Sequence, residues 1–231
     1  MIDNRNMGAT DDIATATHDA AAFRNRALLR LAPAPHPGEF ARSGTLDLAP
    51  SDFDLNPDFL ELLPKPLTPR PAAVLVPVVA RSRLTVLFTL RTPHLKAHAG
   101  QVSFPGGKVE TDDAGPLDTA LREAQEEIGL DRRLVEPLGF LDTYRTGTGY
   151  AIAPLVALVD PAYTITPDPN EVADVFEVPL AFLMEPANAR LETRFWRGAD
   201  RRYYALTYDT RDIWGATAGM LKNMQERLFR E

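Results

Sequence analysis

A chain of 231 residues, 45% hydrophobic and 25% charged, is long enough for one substantial buried core and short for two, and its composition excludes fibrous or disordered classes. The absence of cysteine excludes disulfides, zinc–thiolate sites, iron–sulfur clusters and a thiol nucleophile together. A net charge of −7 argues against nucleic acid as a partner, so a polyanionic ligand would require a local reversal of that field, for which a bound divalent cation is the simplest means.

Residues 1–18 are polar and rich in Ala, Thr and Asp, without the apolar run of a signal peptide, and are read as a flexible tail. No stretch reaches the roughly 18 apolar residues of a membrane span, so no membrane partner and a cytoplasmic location are expected. A helical and Pro-rich leader follows over 19–71. Within it, Asp19 to Leu31 spaces Phe23, Leu28, Leu29 and Leu31 among polar residues, which predicts a short amphipathic helix. The run Pro33 to Gly38 stops that helix, and a second proline cluster at 64–71 ends the leader.

The main domain is expected over 72–231. Ala73 to Val79 and Leu84 to Leu90 are β-branched, apolar runs joined by the polar residues 80–83, which predicts a hairpin inside a well-covered sheet. Further strands are expected at Val135–Leu141, Ala151–Val159, Val172–Val178, Thr193–Trp196 and Tyr203–Leu206. A helix over Pro116–Ile128 would face Leu117, Leu121, Ala124 and Ile128 inward and end on Gly129. A second helix is expected over Ile213–Phe229, with Trp214, Met220, Leu221 and Met224 in the core. Strands and helices mixed in this order suggest a sheet with helices packed against it.

The chemistry concentrates in 106–130. At about 100° per residue, Glu123, Glu126 and Glu127 fall within about one quadrant of a helix. Like charges so close destabilise a helix unless a cation sits among them, and carboxylate oxygens suit Mg²⁺ or Mn²⁺ that shares substrate phosphates. Arg122 is placed to pair with Asp118 or Glu126 and hold the acidic face in position. The pair Gly106-Gly107 lets backbone approach a ligand where a side chain would block it.

These residues resemble the Nudix box, G-x5-E-x7-R-E-U-x-E-E-x-G-U with U aliphatic, whose second half is matched by Arg122-Glu123-Ala124-Gln125-Glu126-Glu127-Ile128-Gly129-Leu130. The loop half is one residue longer than the pattern. Its early Glu is best matched by Asp113, with Asp112 and Glu110 as alternatives. That extra residue is similar to the coenzyme A pyrophosphatase branch, as is the preceding segment Leu87 to Gly107, which follows L-L-T-x-T-[SA]-x3-R-x3-G-x3-F-P-G-G through Thr89, Gly100 and Phe104-Pro105-Gly106-Gly107. Arg91 stands there in place of a Thr, Thr92 in place of Ser or Ala, and Lys96 in place of Arg.

The resemblance implies an α/β/α sandwich with a mixed sheet over 72–231. It also implies metal-dependent hydrolysis of the diphosphate linkage of coenzyme A or acyl-coenzyme A, giving 3′,5′-ADP and 4′-phosphopantetheine. The expected metal set is Glu123, Glu126, Glu127, Asp113 and Gly107. Expected in catalysis are Glu126, Glu127, Arg122 and Glu171, the last as base or further ligand, or else as a structural ion-pair partner. Arg91, Lys96, Gly106, Gly107 and Arg145 are expected to meet the substrate, with Arg145 carried on a functional loop at Tyr144–Tyr150. His94 and His98 are read as loop residues. The rivals are hydrolysis of ADP-ribose, another ADP-sugar or a nucleoside triphosphate, and a non-catalytic nucleotide-binding domain, for which loss of a box carboxylate would be the sign. A homodimer is left open.

Overall fold

The computed structural model describes residues 15–35, 50–58, 69–95, 97–196 and 199–230. Its centre is an eight-stranded mixed sheet. The long strands β1 (Arg70–Val79) and β7 (Tyr150–Val159) run parallel in register from Arg70 opposite Tyr150 to Val79 opposite Val159. Antiparallel partners flank them: β2 (Thr85–Arg91) forms the expected hairpin with β1, and β5 (Val135–Phe140) pairs β7. The short β3 (Val102–Ser103) and β8 (Val172–Pro179) join β2, β4 (Gly106–Lys108) joins the start of β1, and β6 (Tyr144–Arg145) joins the start of β7.

Alternation along the central strands explains why their sequences are apolar throughout. Ala73, Leu75 and Val79 of β1 face one core and Val76 and Val78 face another, as Leu155 and Val159 face the first and Val156 and Leu158 the second across β7. Helix α2 (Pro116–Ile128) covers the first face with Ala120, Leu121, Ala124 and Ile128. The second is covered by α1 (Ala20–Arg30), the short α3 (Leu180–Met184) and α4 (Ala216–Phe229), through Phe23, Ala27, Leu180, Leu183, Met220, Leu221 and Met224. This is an α/β/α sandwich with a mixed sheet. A separate three-stranded antiparallel sheet, β9 (Arg190–Trp196), β10 (Ala199–Tyr208) and β11 (Arg211–Trp214), leads into α4. Among the described residues no helix is long and apolar enough to cross a membrane.

Several expectations change. Helix α1 forms, capped by Asp19 accepting from the Ala22 N–H, but it buries Phe23 and Ala27 while Leu28 and Leu29 are 57% and 85% exposed. The four-residue spacing of Phe23 and Ala27 defines the inner face, and the larger leucines lie off it. Residues 1–14 lie outside the described residues, yet Ala16 and Thr17 are buried, so packing begins before residue 19. Leu117 is 40% exposed rather than a full member of its helix's inner face. Residues 211–214 form a strand, Ile213 pairing with Leu206, and the last helix starts only after Gly215, whose φ of 63° breaks the run.

Candidate active site

The antiparallel pairing of β4 with β1 brings the Gly106-Gly107 backbone against Ala73 and Val74, alongside the inner edge of α2. Glycine is required there for space. A Cβ on Gly107 would lie 2.2 Å from Oε1 of Glu123, and one on Gly106, where φ is +156°, would lie 2.5 Å from the Ala73 carbonyl oxygen. The Gly106 N–H donates to Oε2 of Glu127 at 3.2 Å. Gly129 then ends α2 in the left-handed conformation, as expected.

Arg122 organises the loop and helix. Its Nε donates to Oδ1 of Asp113 at 2.8 Å and its Nη2 to Oδ2 at 3.0 Å, while Nη1 reaches Glu123 at 3.0 Å and Glu126 at 2.9 Å. The Lys108 carbonyl accepts from Nη2 at 3.2 Å. One planar guanidinium thus ties the loop to two glutamates, a role that a lysine could not fill. Asp118, the other expected partner, is taken by Arg132.

Asp113 does not face the pocket. Besides Arg122 it accepts from the Glu110 N–H and the Thr119 hydroxyl, each at 2.8 Å, and Arg122 foremost holds its carboxyl well below the usual carboxylate range. With its lone pairs committed to these donors, Asp113 serves as the anchor of Arg122 and lies outside the pocket lining, not beside Glu123 and Glu127 as a loop metal ligand would. The Glu126 side chain is 59% exposed, paired to Arg122 and outside the pocket lining. A side chain one step round the helix from Glu127 points away from the sheet.

The carboxylates that do line the pocket include Glu123, Glu127 and Glu171. Burial raises the Glu123 carboxyl above its ordinary value against the pull of Arg122. Glu127, only 4% exposed, is pushed up to about 8, first by burial and further by Glu123 and Glu171, with the Gly106 N–H and Arg91 opposing. Arg91 Nη1 lies 3.6 Å from Glu127. Glu171 precedes β8, where its carbonyl accepts from the Thr92 N–H at 3.0 Å.

Among the described residues no three His, Asp or Glu side chains are gathered closely enough to complete a metal site by themselves. The donors nonetheless fit a hard cation that keeps several waters and takes ligand oxygens, because a buried carboxylate shares its pocket with two more and resists ionisation without a compensating charge.

The pocket encloses about 1030 Å³, the upper end for small-molecule sites. Gly106, Gly107 and Arg91 line it, and His98, expected only in a loop, faces it with Nδ1 bonded to Gln101. Trp214, expected in the core, also lines it, since it belongs to a strand. Lys96 lies outside the described residues. Arg145 is 3% exposed, beneath Pro50 and Asp52, whose backbone bonds to its own, and does not line the pocket; that expectation is corrected. Its loop does contribute Tyr144, Thr146, Gly147 and Tyr150.

Sequence reasoning missed a second set of lining residues. Asp52 and Asn56 come from the leader, Arg194, Arg201, Arg202 and Tyr203 from β9 and β10, and Lys222 from α4. Asp52 accepts from the Tyr144 hydroxyl and the Gly147 N–H, both at 2.8 Å. Asn56 clamps the Arg202 backbone, accepting from its N–H at 2.8 Å and donating to its carbonyl at 2.9 Å. The available signal was an Arg/Tyr-rich hairpin in an acidic chain. A smaller hollow of about 390 Å³ beside β8 contains none of these groups.

A profile of the NUDIX domain matches residues 69–198. That match leaves out residues 50–58 and 199–230, which furnish much of the rest of the pocket. The chain is 38% identical over 183 residues to a Shigella flexneri protein described as an uncharacterized Nudix hydrolase, NudL, covering 79% of this chain and 94% of the relative. A Yersinia enterocolitica protein of the same description is 38% identical over 162 residues, covering 68% and 80%. Among solved structures, a MutT/nudix family protein from Enterococcus faecalis superposes with a TM-score of 0.43 at 16% identity, over 74% of this chain and 67% of that one.

Proposed function

The chain belongs to the Nudix hydrolases, and from that premise we propose that it hydrolyses the diphosphate linkage of coenzyme A or acyl-coenzyme A to 3′,5′-ADP and the (acyl-)4′-phosphopantetheine, with Mg²⁺ or Mn²⁺. One observation carries the substrate choice. The segment resembling the coenzyme A branch, Leu87 to Gly107, is itself pocket wall: Arg91, Ala97, Gln101, Phe104 and the two glycines face the same space as Glu123 and Glu127.

Glu123 and Glu127 would hold the cation together with waters and substrate oxygens, and when bound it would neutralise diphosphate oxygens and acidify a water. The protein's own part is positioning. Arg122 fixes Glu123, the Gly106 N–H fixes one oxygen of Glu127, and the side-chain-free Gly106-Gly107 backbone leaves room for phosphate beside them. Arg91 places a guanidinium near Glu127 where a phosphate oxygen would otherwise meet only carboxylates. Attack by water forms one P–O bond and breaks the bridging one; the water's proton passes to a pocket carboxylate, and Glu171 is assigned that role from its place at the head of β8.

The test is to incubate the purified protein with Mg²⁺ or Mn²⁺ and coenzyme A, acetyl-coenzyme A, ADP-ribose or a nucleoside triphosphate, and to identify products by mass. Coenzyme A and its acyl form are expected to be cleaved with the highest kcat/KM. Equal efficiency across the panel, or turnover of triphosphates alone, overturns the substrate assignment.

A further inference from the structure

We propose that Arg194, Arg201 and Arg202, on the β9–β10 hairpin, form a second anion subsite that takes a phosphomonoester carried by the substrate away from its diphosphate. The inference rests on the diphosphate reading for the other end of the substrate, but its groups are different ones. The carboxylates come from α2 and the head of β8, whereas these three cations come from the separate three-stranded sheet.

Three observations carry it. A pocket of about 1030 Å³ is larger than a diphosphate with its cation needs, so the ligand extends beyond the carboxylates. In a chain of net charge −7, one hairpin brings three arginines into the lining of that pocket, Arg194 directly across the strands from Arg201 and Arg202 next along β10. The hairpin is also held in place. Asn56 satisfies both backbone groups of Arg202, and Asp52, bonded to Tyr144 and Gly147, lies within electrostatic reach of Arg201. Among the described residues no ion pair engages the side chain of Arg194 or Arg202. Lys222, by contrast, is committed to Glu226 at 3.2 Å and is left out of the subsite.

The chemistry selects a phosphomonoester over a carboxylate or a neutral group. Guanidinium groups present forked donors that match a tetrahedral dianion, and Tyr203, whose ring lies 5.6 Å from that of Trp214 in the same wall, offers an aromatic surface for the moiety bearing it. A substrate with both anions would be gripped at two points, one by the cation and Arg91, the other by the hairpin.

Binding can be read without turnover. Metal-free protein is titrated with adenosine 3′,5′-bisphosphate and with 5′-AMP, and the measurement is repeated on the Arg194→Gln/Arg202→Gln double variant. Both positions are on the pocket surface, and the Asn56 clamp uses only the backbone of Arg202, so the variant is expected to melt within a few degrees of the parent; Arg202→Gln alone serves if it does not. The parent is expected to bind the bisphosphate about tenfold more tightly than 5′-AMP, a difference of the size one charge-assisted phosphate contact supplies. In the variant that preference should fall to about twofold or less, and inorganic phosphate at equal concentration should not displace the bisphosphate from the parent. No preference in the parent, an unchanged preference in the variant, or displacement by inorganic phosphate overturns the proposal. The hydrolysis panel separates the two readings: a preference that the variant loses, in a protein that leaves coenzyme A intact, refutes the proposed activity and keeps the subsite. Cleavage of coenzyme A with no such preference does the reverse.

Discussion

The α2 wall and the hairpin wall of the pocket are built on opposite plans. Along α2 the acidic groups are locked by short-range partners: Asp113, Arg122, Glu123 and Glu126 lie within fourteen residues and share one guanidinium, and Gly106-Gly107 closes the remaining space. On the hairpin side the groups come from three distant stretches, held by the bonds of Asn56 to Arg202 and of Asp52 to Tyr144 and Gly147. The difference teaches a division of labour. A rigid, locally encoded wall suits chemistry, where a displacement of about 1 Å is costly, and a wall assembled from separate pieces suits recognition.

The largest effect is expected where the first wall meets the chemistry. Glu127→Gln should lower kcat/KM by on the order of 10²-fold or more, the size seen when a preorganised electrostatic group is removed. The melting temperature of the metal-free protein should not fall with it. Because the folded-state pKa of Glu127 is raised to about 8, the carboxyl contributes stability below its unfolded pKa that is lost as pH rises through about 8, so at neutral pH the charge is partly a burden. Calorimetry beside a Mg²⁺-dependent assay checks both halves, and parallel losses of activity and stability would recast Glu127 as structural. Gly107→Ala should cost about tenfold or more in kcat, since the new Cβ must displace the Glu123 carboxylate.

Asp113→Asn separates an anchor from a ligand. Freed from its charged partner, Arg122 should hold Glu123 less firmly, lowering kcat by roughly tenfold while the Mg²⁺ concentration for half-maximal activity changes little. A shift in that concentration as large as the one caused by Glu127→Gln would restore Asp113 to the metal set.

How much could be read from the sequence follows the same division. Gly106, Gly107, Arg122, Glu123 and Glu127 were legible because helix periodicity and one short loop place them together. The strands of the central sheet were legible because apolar runs and β-branched residues report burial. The sequence did not show that Asp113 and Glu126, in the same motif, lie outside the pocket lining and pair with Arg122. Periodicity gives an angle around a helix but not which carboxylates an arginine has already taken. Arg145 was misplaced because a cation beside glycines in a loop reads as surface, whereas the leader segment covers it. Asp52, Asn56, Arg201 and Arg202 were invisible for a plainer reason: their proximity is tertiary, spanning some 146 residues in the case of Asn56 and Arg202.

The second wall should respond more weakly and in a different parameter. Asn56→Ala removes two hydrogen bonds to the Arg202 backbone, each worth on the order of 1 kcal/mol, so a KM several-fold higher with kcat nearly unchanged is expected in steady-state kinetics. A kcat loss matching that of Asp113→Asn would show that the two walls are not separate in function.

The smallest effect concerns the support behind α4. Asp142 follows β5 and accepts from Asn223 at 2.8 Å and from Arg227 through Nε at 2.8 Å and Nη2. Burial alone would raise its carboxyl, but the bonds from Arg227 and Asn223 outweigh it and the net shift is downward. A depressed folded-state pKa contributes stability that is present above the unfolded value of about 3.9 and is lost as pH falls through the lower folded value. Asp142→Asn should therefore lower the melting temperature by only a few degrees at pH 7, because Arg227 is half exposed and solvent screens the pair. The deficit should narrow as pH is taken below about 3.9, where the parent loses the same charge. Because Asn223 joins Asp142 while itself lining the pocket, the variant should also raise KM slightly at pH 7, and less than Asn56→Ala does. A deficit that stays constant down to pH 3 would mean that packing, rather than the ion pair, fixes α4 behind the hairpin wall.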